Sequence, residues 1–460
     1  MYYETSDVIA YKKHISFVSQ CPYRPLTNNQ TGNKMVSATP SIQLLEQVTC
    51  PHCWERFDTE KILWISESPD LLGDSRLGNA AQQRFLPMRF NPAAQALDAN
   101  GFACHRLACP NCHLQIPRPF LEMPPLFLSI VGAPAAGKSY YLASMTWRLR
   151  KVMPKYFHFS YTDADPEMNL RLQHYESQQF LQTDSNMLAA IEKTEVYGDI
   201  YNTVFLKGQN VSFPQPFTFT MSPDKEHPLA NNAANISKIL CLYDNAGESY
   251  LPGEDSAVRP VTRHIVTSDA VFFLFDPTQD ARFRRACQGR ANDPQMQNND
   301  SVRRSPVRQE SILSELANRV RNHWNVRGKT RKKTPLVIVL TKADAWLFLL
   351  NARMESNPWM AIPNTNVRAL HIAEVEQISQ KARALLYQLI PEIVSAAEQL
   401  SDDVIYIPVS ATGGPPSIDS QTGALGFRPA DIKPYWVEVP ILYILNKLTR
   451  GVISVAKKVK

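Results

Sequence analysis

The sequence predicts an α/β fold in which a mostly parallel sheet carries helices on both faces, preceded by a small cysteine-rich module. Three observations support this prediction. A glycine-containing loop at residues 132–139 lies between an apolar run and a stretch with helical periodicity. Three later apolar runs, at 238–243, 335–340 and 404–409, have the composition of buried parallel strands, and each ends in a short polar motif. Two Cys-Pro-x-Cys turns precede all of these elements.

Residues 132–139, Gly-Ala-Pro-Ala-Ala-Gly-Lys-Ser, match the GxxxxGK[ST] pattern completely. The run 126–131 is predicted to be a strand and 139–150 a helix, which is the context that the pattern requires. Main-chain N–H groups can then surround a polyphosphate at the helix N-terminus. Lys138 is expected to reach the β- and γ-phosphate oxygens, and the Ser139 hydroxyl to bind Mg²⁺. The predicted phosphate-binding residues are Gly132, Ala135, Ala136, Gly137, Lys138, Ser139 and Tyr140.

The three later strand ends carry Asp244-Asn-Ala-Gly247, Thr341-Lys-Ala-Asp344 and Ser410-Ala411. In open α/β sheets ligands bind beyond the carboxyl ends of the strands, so these motifs are expected close to the phosphate loop. One such motif alone is weak evidence, whereas four in this order are strong evidence. The ordered set resembles the P-loop GTPases of the Ras-like (TRAFAC) class.

This resemblance implies a role for each strand-end motif. Asp244 would hold Mg²⁺ through water, and the amide of Gly247 would sense the γ-phosphate. Asp344 would accept two hydrogen bonds from guanine that adenine cannot donate. The residues implied to bind the base are Thr341, Lys342, Asp344, Ser410 and Ala411, with the Lys342 stem over the ring and the Ala411 amide at its carbonyl oxygen. The implied cofactors are GTP or GDP and Mg²⁺.

Phosphoryl transfer requires mainly positioning and charge neutralisation. The residues predicted to take part are Lys138, Gly247 and Glu248. In Ras-like enzymes a glutamine often stands where this chain has Glu248, and a carboxylate there repels the phosphate, so slow intrinsic hydrolysis is predicted. A partner protein, or Arg259 or Arg263 of the same chain, could contribute an arginine. The first-switch threonine is left open between Thr194 and Thr203.

Four of the eight cysteines form two tight turns of CPxC type, each of which offers two thiolates to a tetrahedral metal. They are Cys50, Cys53, Cys109 and Cys112. Four protein ligands leave no open position, so a structural zinc ribbon is predicted rather than zinc catalysis. The 54–108 insert must fold as a loop or as extra strands. Substitution of a ligand by Cys104, His52, His105 or His113 is left open, and disulfides are not expected.

The predicted domains are an N-terminal extension (1–45), the zinc-ribbon module (46–119) and the nucleotide domain (120–460), with insertions at about 151–200 and 280–333. Between the phosphate loop and Asp244, 201–206 and 217–221 are predicted to form a hairpin, and 157–182 is an extra segment. The second insertion is basic, since 282–333 contains 14 Lys/Arg and 4 Asp/Glu. It is predicted to be a solvated surface or a site for an acidic protein. Nucleic acid is less favoured because stacking aromatics are nearly absent.

Two predicted helices complete the nucleotide domain. Ile312, Leu316, Val320 and Trp324 recur every four residues, which indicates a helix with one buried stripe. Apolar residues at helical spacing from 439 to 455 predict a terminal helix within 434–460.

The ribbon prefix and the long insertions also resemble the bacterial double-GTPase families. That resemblance implies a regulatory GTPase in antiviral or conflict systems, acting through a protein partner that could be an effector or a second GTPase. Two alternatives stay open: a nucleotide-locked scaffold, and an ATP-dependent NTPase associated with nucleic acid. No apolar run reaches membrane length and no leader pattern opens the chain, so a cytoplasmic protein is expected. The partner, the signal and the oligomeric state are not predicted.

Overall fold

The computed structural model describes residues 44–93, 95–185, 187–191, 201–244, 261–291, 293, 296, 308–327, 333–418 and 425–455. The described residues before Leu126, together with Thr203–Val211, form one compact unit. Those from Leu126 onward, apart from Thr203–Val211, form a second and larger unit. The predicted extension 1–45 lies almost wholly outside the described residues.

The smaller unit is built from short antiparallel strands. These are β1 (Gln47–Thr49), β2 (Arg56–Asp58), β3 (Leu63–Ile65), β4 (Leu72–Asp74), β5 (Gly78–Gln82), β6 (Arg84–Phe85), β7 (Ala96–Leu97), β8 (Ala103–Cys104), β9 (Leu107–Ala108) and β10 (Gln115–Ile116). One four-stranded sheet has the order β10-β9-β3-β6, and β1–β2, β4–β5 and β7–β8 form separate pairs. The 54–108 insert therefore folds as extra strands rather than as an open loop.

The remaining strands belong mostly to the larger unit. They are β11 (Pro125–Gly132), β12 (Phe159–Asp163), β13 (Tyr201–Leu206), β14 (Gln209–Pro214), β15 (Phe217–Pro223), β16 (Lys238–Asp244), β17 (Ala270–Phe275), β18 (Leu336–Leu340), β19 (Trp359–Ala361), β20 (Arg368–Leu370), β21 (Val404–Pro408), β22 (Ser417–Ile418), β23 (Leu425–Gly426) and β24 (Ser454–Val455). The helices are α1 (Lys138–Val152), α2 (Leu170–Phe180), α3 (Ala233–Ile236), α4 (Val261–Thr267), α5 (Ala281–Cys287), α6 (Gln309–Arg327), α7 (Ile372–Leu389), α8 (Pro391–Leu400) and α9 (Val439–Leu448).

A seven-stranded sheet with the order β12-β15-β16-β11-β17-β18-β21 forms the centre of the larger unit. β11, β17, β18 and β21 run parallel, with Ile130 opposite Phe272, Phe272 opposite Val337, and Val337 opposite Ile405. β15 is antiparallel to both β12 and β16. The carboxyl ends of the four parallel strands consequently meet at one edge. The predicted α/β class with a mostly parallel sheet is confirmed.

Helices cover both faces of this sheet, because alternate strand residues point to opposite sides. Val337 and Val339 join the core on the side of α1 and α9. Ile338 and Leu340 join the core on the side of α6 and α8. Side chains on both faces are almost fully buried, which explains why these strands are continuous apolar runs in the sequence. In the part of the chain that the structure describes, none of the helices combines the length and the apolar character needed to cross a bilayer.

Two element predictions are wrong, and the helix predicted from the four-residue stripe is confirmed. The strand 201–206 does not form a hairpin with 217–221, because β14 intervenes and pairs with β13 while β15 joins the central sheet. The terminal helix ends at Leu448 rather than near 455, and β24 pairs in parallel with β20. The helix predicted from the four-residue stripe is present as α6, with Ile312, Leu316 and Val320 buried.

Candidate functional site

The loop between β11 and α1 has a backbone that explains its glycines. A Cβ at Gly132 would lie 2.8 Å from the main-chain oxygen of Leu274 on β17, which is too close for any other residue without a shift. Gly137 has φ +84°, a left-handed conformation that side chains disfavour. Ala135 also has a positive φ, of 61°. The loop therefore turns tightly before α1 begins at Lys138.

Lys138 folds back over this loop. Its Nζ donates hydrogen bonds to the carbonyl oxygens of Gly132 at 3.0 Å and Ala133 at 3.1 Å. Ala136 is buried, whereas Ala135 is exposed and Ser139 is half-buried in the first turn of α1. These contacts hold the ammonium group inside the curve of the loop.

The side chain of Tyr140 is engaged elsewhere. Its hydroxyl accepts a hydrogen bond from the Ile191 amide at 3.0 Å, and its ring lies edge-on to Phe427 with centroids 5.4 Å apart. Burial raises the pKa of the Tyr140 hydroxyl. Any predicted binding role of this residue therefore falls to its main-chain amide.

Asp244 ends β16 and is buried, with 4% of its surface exposed. Its Oδ1 has no hydrogen-bond partner among the described residues, and its Oδ2 lies 3.8 Å from Nη2 of Arg171. Burial raises the pKa of the Asp244 carboxyl, while the positive charges of Arg171 and Lys138 oppose that rise. A buried carboxylate oxygen without a partner among the described residues is suited to a bound cation.

Several residues predicted from the sequence to serve the phosphate end of the site lie outside the described part of the chain. They are Gly247, Glu248, Thr194 and Arg259, whose roles stay predictions. Thr203 lies in β13, within the smaller unit. Arg263 lies in α4 and is half-buried.

The second strand-end motif begins at the end of β18. Thr341 is buried and its amide donates to the Phe275 oxygen at 2.9 Å. Lys342 adopts a left-handed conformation (φ 53°), and its Nζ lies 2.8 Å from Oδ2 of the fully buried Asp276. Burial lowers the pKa of Lys342, but the Asp276 carboxylate outweighs it and the net pKa is raised. Lys342 is therefore positively charged and pairs with Asp276, which directly follows the neighbouring strand β17.

Asp344 and Ser410 meet at this edge. The Ser410 hydroxyl donates to Oδ1 of Asp344 at 2.5 Å and accepts from the Gly413 amide at 2.7 Å. Burial raises the pKa of the Asp344 carboxyl, and the bond from Ser410 opposes that rise. The carbonyl oxygen of Ala411 accepts from Ser144 Oγ on α1 at 2.6 Å.

A chain of contacts joins the loop 132–139 to both later motifs. Nε2 of Gln279 lies 3.5 Å from the Pro134 oxygen and 3.3 Å from Oδ2 of Asp276, which in turn pairs with Lys342. At the other end, the Ala411 carbonyl is bonded to α1, the helix that Lys138 opens. The structure thus brings the predicted strand-end residues at 132–139, 341–344 and 410–411 to one edge of the sheet.

Sequence reasoning missed four residues of this arrangement. They are Asp276, Gln279, Ser144 and Gln179. Asp276 directly follows the apolar run 270–275, so the same strand-end argument could have found it. Ser144 and Gln179, whose Nε2 lies 3.3 Å from the Ala411 oxygen, belong to no motif, and only the fold brings them there.

The smaller unit contains a cluster of four buried thiols. Cys50, Cys53, Cys109 and Cys112 are 0% exposed, and their sulfurs all lie within 4.8 Å of one another. Cys50 and Cys112 sulfurs are 3.7 Å apart, and those of Cys53 and Cys109 are 3.8 Å apart. A tetrahedron with Zn–S bonds of about 2.3 Å has S···S edges of about 3.8 Å, so the cluster is compatible with zinc.

The two cysteine turns repeat the same hydrogen bonds. The His52 amide donates to Cys50 Sγ at 3.4 Å, as the Asn111 amide does to Cys109 Sγ at 3.4 Å. Within the cluster, hydrogen bonds from Cys109 and its neighbours lower the pKa of the Cys53 thiol, whereas burial raises the pKa of the Cys50 thiol and the bond with Cys109 raises that of Cys112. A thiolate is the form that binds a metal.

The alternative ligands are occupied by other contacts. His52 Nε2 lies 3.0 Å from the Gln115 oxygen, and His113 Nδ1 lies 2.8 Å from Asp74. His105 Nδ1 lies 3.4 Å from Gln95, and the Cys104 thiol lies 3.5 Å from the Phe102 oxygen. Among the described residues, the four-cysteine set is the metal-compatible cluster.

Comparison with known proteins gives weak similarities. No family model matches the chain. The chain is similar to a protein of Mycolicibacterium smegmatis named as the ESX-1 scaffolding and assembly protein SaeC, with 25% identity over 253 residues, covering 50% of this chain and 57% of that protein. The chain thus spans little more than half the length of this curated relative.

Among solved structures, the chain is weakly similar to Sup35 complexed with GMPPNP and with GDP. Both comparisons have a TM-score of 0.22 and 12% identity. They cover 64% and 65% of this chain, and 38% and 40% of the Sup35 chains.

Proposed function

We propose that this protein binds guanine nucleotides with Mg²⁺ and hydrolyses GTP slowly as a regulatory switch. The observation that carries the proposal is the convergence at one sheet edge of Lys138, Asp276–Lys342 and Asp344–Ser410. The Asp276–Lys342 pair spans the ends of β17 and β18, and the Asp344–Ser410 pair spans the ends of β18 and β21. Open α/β sheets bind ligands beyond such strand ends.

The phosphate end of the proposed site is the loop 132–139. Two left-handed residues turn the chain so that main-chain amides precede the N-terminus of α1, where the helix dipole favours anions. Lys138, now bonded to two loop carbonyls, would exchange these for the β- and γ-phosphate oxygens. The proposed phosphate ligands are the loop amides, Lys138 and Ser139.

The cation site of the proposal consists of Ser139 and Asp244. The partnerless Oδ1 of Asp244 supports it, because a buried carboxylate oxygen without a partner is costly. Bound Mg²⁺ would supply positive charge next to the β- and γ-phosphates. Gly247 and Glu248 follow Asp244 in the chain, and we propose that they sense the terminal phosphate and contact the attacking water.

The base end of the proposal consists of Asp344, with Lys342 and the 410–411 loop beside it. An ionised carboxylate only accepts hydrogen bonds. Guanine presents two N–H groups on one edge that adenine does not, so Asp344 would select guanine. The Ser410 hydroxyl would keep the carboxylate oriented, and the bond from Ser144 would hold Ala411 with its amide available to the base.

The test is a nucleotide titration of the unmodified chain and of Asp344→Asn. The unmodified chain should bind GTP and GDP at least tenfold more tightly than ATP. The variant should lose guanine affinity and gain affinity for xanthine nucleotides, because an amide can donate where xanthine carries an oxygen. Ser356→Ala, which changes an exposed residue, serves as the control. Equal binding of ATP and GTP would contradict the proposal and favour the ATP-dependent alternative.

We further propose that the four-cysteine cluster binds structural zinc, and that the chain acts with a protein partner. The name of the relative in M. smegmatis, which refers to scaffolding and assembly, supports the second point. It also favours a second candidate function, a nucleotide-locked scaffold that binds GTP without turnover. Phosphate release over several hours separates the two, because the scaffold would retain intact GTP. An antiviral role stays a prediction from resemblance.

A further inference from the structure

We propose that Arg171 is a built-in phosphate-contacting arginine, which donates hydrogen bonds to the terminal phosphate of the bound nucleotide. This inference rests on the proposed function and names a residue that none of the sequence motifs contains. Arg171 lies in the first turn of α2, within the segment that the sequence analysis treated as an extra insertion.

The guanidinium of Arg171 forms a long ion pair with Asp244 of the proposed cation site. Its Nη2 lies 3.8 Å from Oδ2 of Asp244, which is beyond hydrogen-bond distance. Its Nε and Nη1 are buried and have no hydrogen-bond partner among the described residues. Because unpartnered buried donors on a charged group are costly, this arrangement indicates that an acceptor belongs next to them.

The position of Arg171 is fixed by the packing around it. Its guanidinium lies over the Phe217 ring, 4.7 Å from the centroid. Asn169, 0% exposed, anchors the start of α2: its Nδ2 donates to the Thr218 oxygen at 2.9 Å, and its Oδ1 accepts from the Thr218 amide at 2.9 Å. The side chain therefore loses little further freedom when an anion binds.

The charge balance also indicates an anion. Lys138 and Arg171 both act electrostatically on the single carboxylate of Asp244. In addition, a cation in the first turn of a helix faces the positive end of the helix dipole. A polyphosphate in the loop 132–139 would offset both effects.

In hydrolysis, a water oxygen forms a bond to the γ-phosphorus while the bond from that phosphorus to the β–γ bridging oxygen breaks. The electron pair of the broken bond stays on GDP, and both protons of the water end on inorganic phosphate, which releases one of them to solvent. Arg171 would neutralise the charge on the oxygens of the transferring group, as an arginine supplied within the same chain.

The test compares Arg171→Ala and Arg171→Lys with the unmodified full-length chain. Affinity for the non-hydrolysable analogue GMPPNP relative to GDP should fall about tenfold or more, since a charge-assisted pair is involved. Hydrolysis in a single turnover should fall about 100-fold or more, and lysine should not restore it, because it lacks the planar fork. Arg383→Ala, which removes another arginine stacked on an aromatic ring, should change neither value.

Three outcomes would overturn the inference. If the unmodified chain binds GTP and Arg171→Ala leaves the ratio of GMPPNP to GDP affinity unchanged, the inference is wrong and the proposed function is unaffected. Equal losses of GDP and GMPPNP affinity together with a lower unfolding midpoint would assign Arg171 a structural role. No guanine-nucleotide binding by the unmodified chain would overturn the proposed function and this inference together.

Discussion

The four-cysteine cluster and the sheet-edge site differ in how completely their polar groups are satisfied. In the cluster, four sulfurs face one another and amides of the same turns donate to two of them. At the sheet edge, Asp244 and Arg171 keep buried polar atoms that have no partner among the described residues. The four-cysteine cluster is therefore a closed site, whose sulfurs contact one another and are suited to stabilising the fold. The sheet edge is an open site, whose unpartnered polar atoms are suited to a ligand that binds reversibly.

The two sites also differ in how far apart their residues lie in the sequence. The cysteines come from two turns of four residues each, and the 54–108 insert folds away as strands. The sheet-edge residues run from Gly132 to Ala411 and meet only because four parallel strands end together. Local chemistry defines the first site, and topology defines the second.

Breaking the closed site should have the largest effect. Cys109→Ser removes one of four thiolates, and structural zinc contributes about 10–16 kcal/mol of apparent binding energy in small domains. We expect the variant to lose zinc and the smaller unit to lose its cooperative unfolding transition, measured by elemental analysis and urea titration. Cys104→Ser should keep one zinc per chain, and zinc retained by Cys109→Ser would contradict the assignment.

Breaking the open site should impair binding and leave the fold intact. Lys138→Ala removes a cation that is bonded to two loop carbonyls, and charged hydrogen bonds to phosphate are worth about 1.5–3 kcal/mol each. GTP affinity should fall about 100-fold or more, measured by calorimetry. Lys151→Ala, near the other end of α1, is the control and should bind normally. A Lys138→Ala variant with normal affinity would exclude the loop as the phosphate site.

A third variant sharpens the comparison by testing the backbone of the open site. Gly132→Ala places a methyl group 2.8 Å from the Leu274 carbonyl oxygen. Because that neighbour is main chain and cannot rotate away, we expect a loss of about 1–3 kcal/mol of unfolding free energy, measured with urea. Gly414→Ala meets nothing within 4 Å and should be nearly neutral. Equal stability of the two variants would show that the strand moves easily.

The smallest expected effect comes from the core beneath the open site. His264 is fully buried, its Nδ1 lies 2.7 Å from Ser129 Oγ, and burial lowers its pKa to about 3. The unfolded chain therefore binds one more proton than the folded chain between about pH 6.5 and pH 3, and stability falls as the pH falls through that window.

His264→Gln should remove this dependence. The expected difference is about 0.8 kcal/mol at pH 6 relative to pH 8, and it grows at lower pH. Urea unfolding at several pH values measures the free energy of unfolding. The slope of this free energy against pH is compared between the variant and the unmodified chain. An unaltered slope in the variant would show that His264 does not titrate as described.

The sequence predicted the parallel core well, because strands buried on both faces are continuous apolar runs. The strands before residues 132, 244, 341 and 410 were all predicted within one or two residues. The predicted hairpin was wrong because Phe217–Pro223 is apolar enough for either a hairpin or the central sheet, and only long-range pairing with β16 decides between them. The predicted terminal helix was too long because Val452 and Ile453 are apolar and buried. Such residues fit the buried face of a longer helix as well as the segment that leads into β24.

The site was predictable only where a motif carries it. Lys138, Asp244 and Asp344 belong to motifs at or shortly after strand ends and could be named from the sequence. Arg171 could not, since nothing in its segment marks it. Its position depends on the Asn169 anchor and the Phe217 ring, which are brought together by β12, a strand that the sequence analysis missed.

The residue that follows each cysteine pair has a left-handed backbone, at Trp54 (φ 57°) and His113 (φ 62°). Glycine would adopt this conformation without strain, yet a glycine at 113 would lack the imidazole that meets Asp74 at the end of β4. The contact between His113 and Asp74 thus links the 54–108 insert to the second cysteine turn. If the insert were shortened to a minimal ribbon, His113 should therefore be replaced by glycine in the same step. Without Asp74, the histidine would keep its strained backbone conformation and lose the contact that offsets the strain.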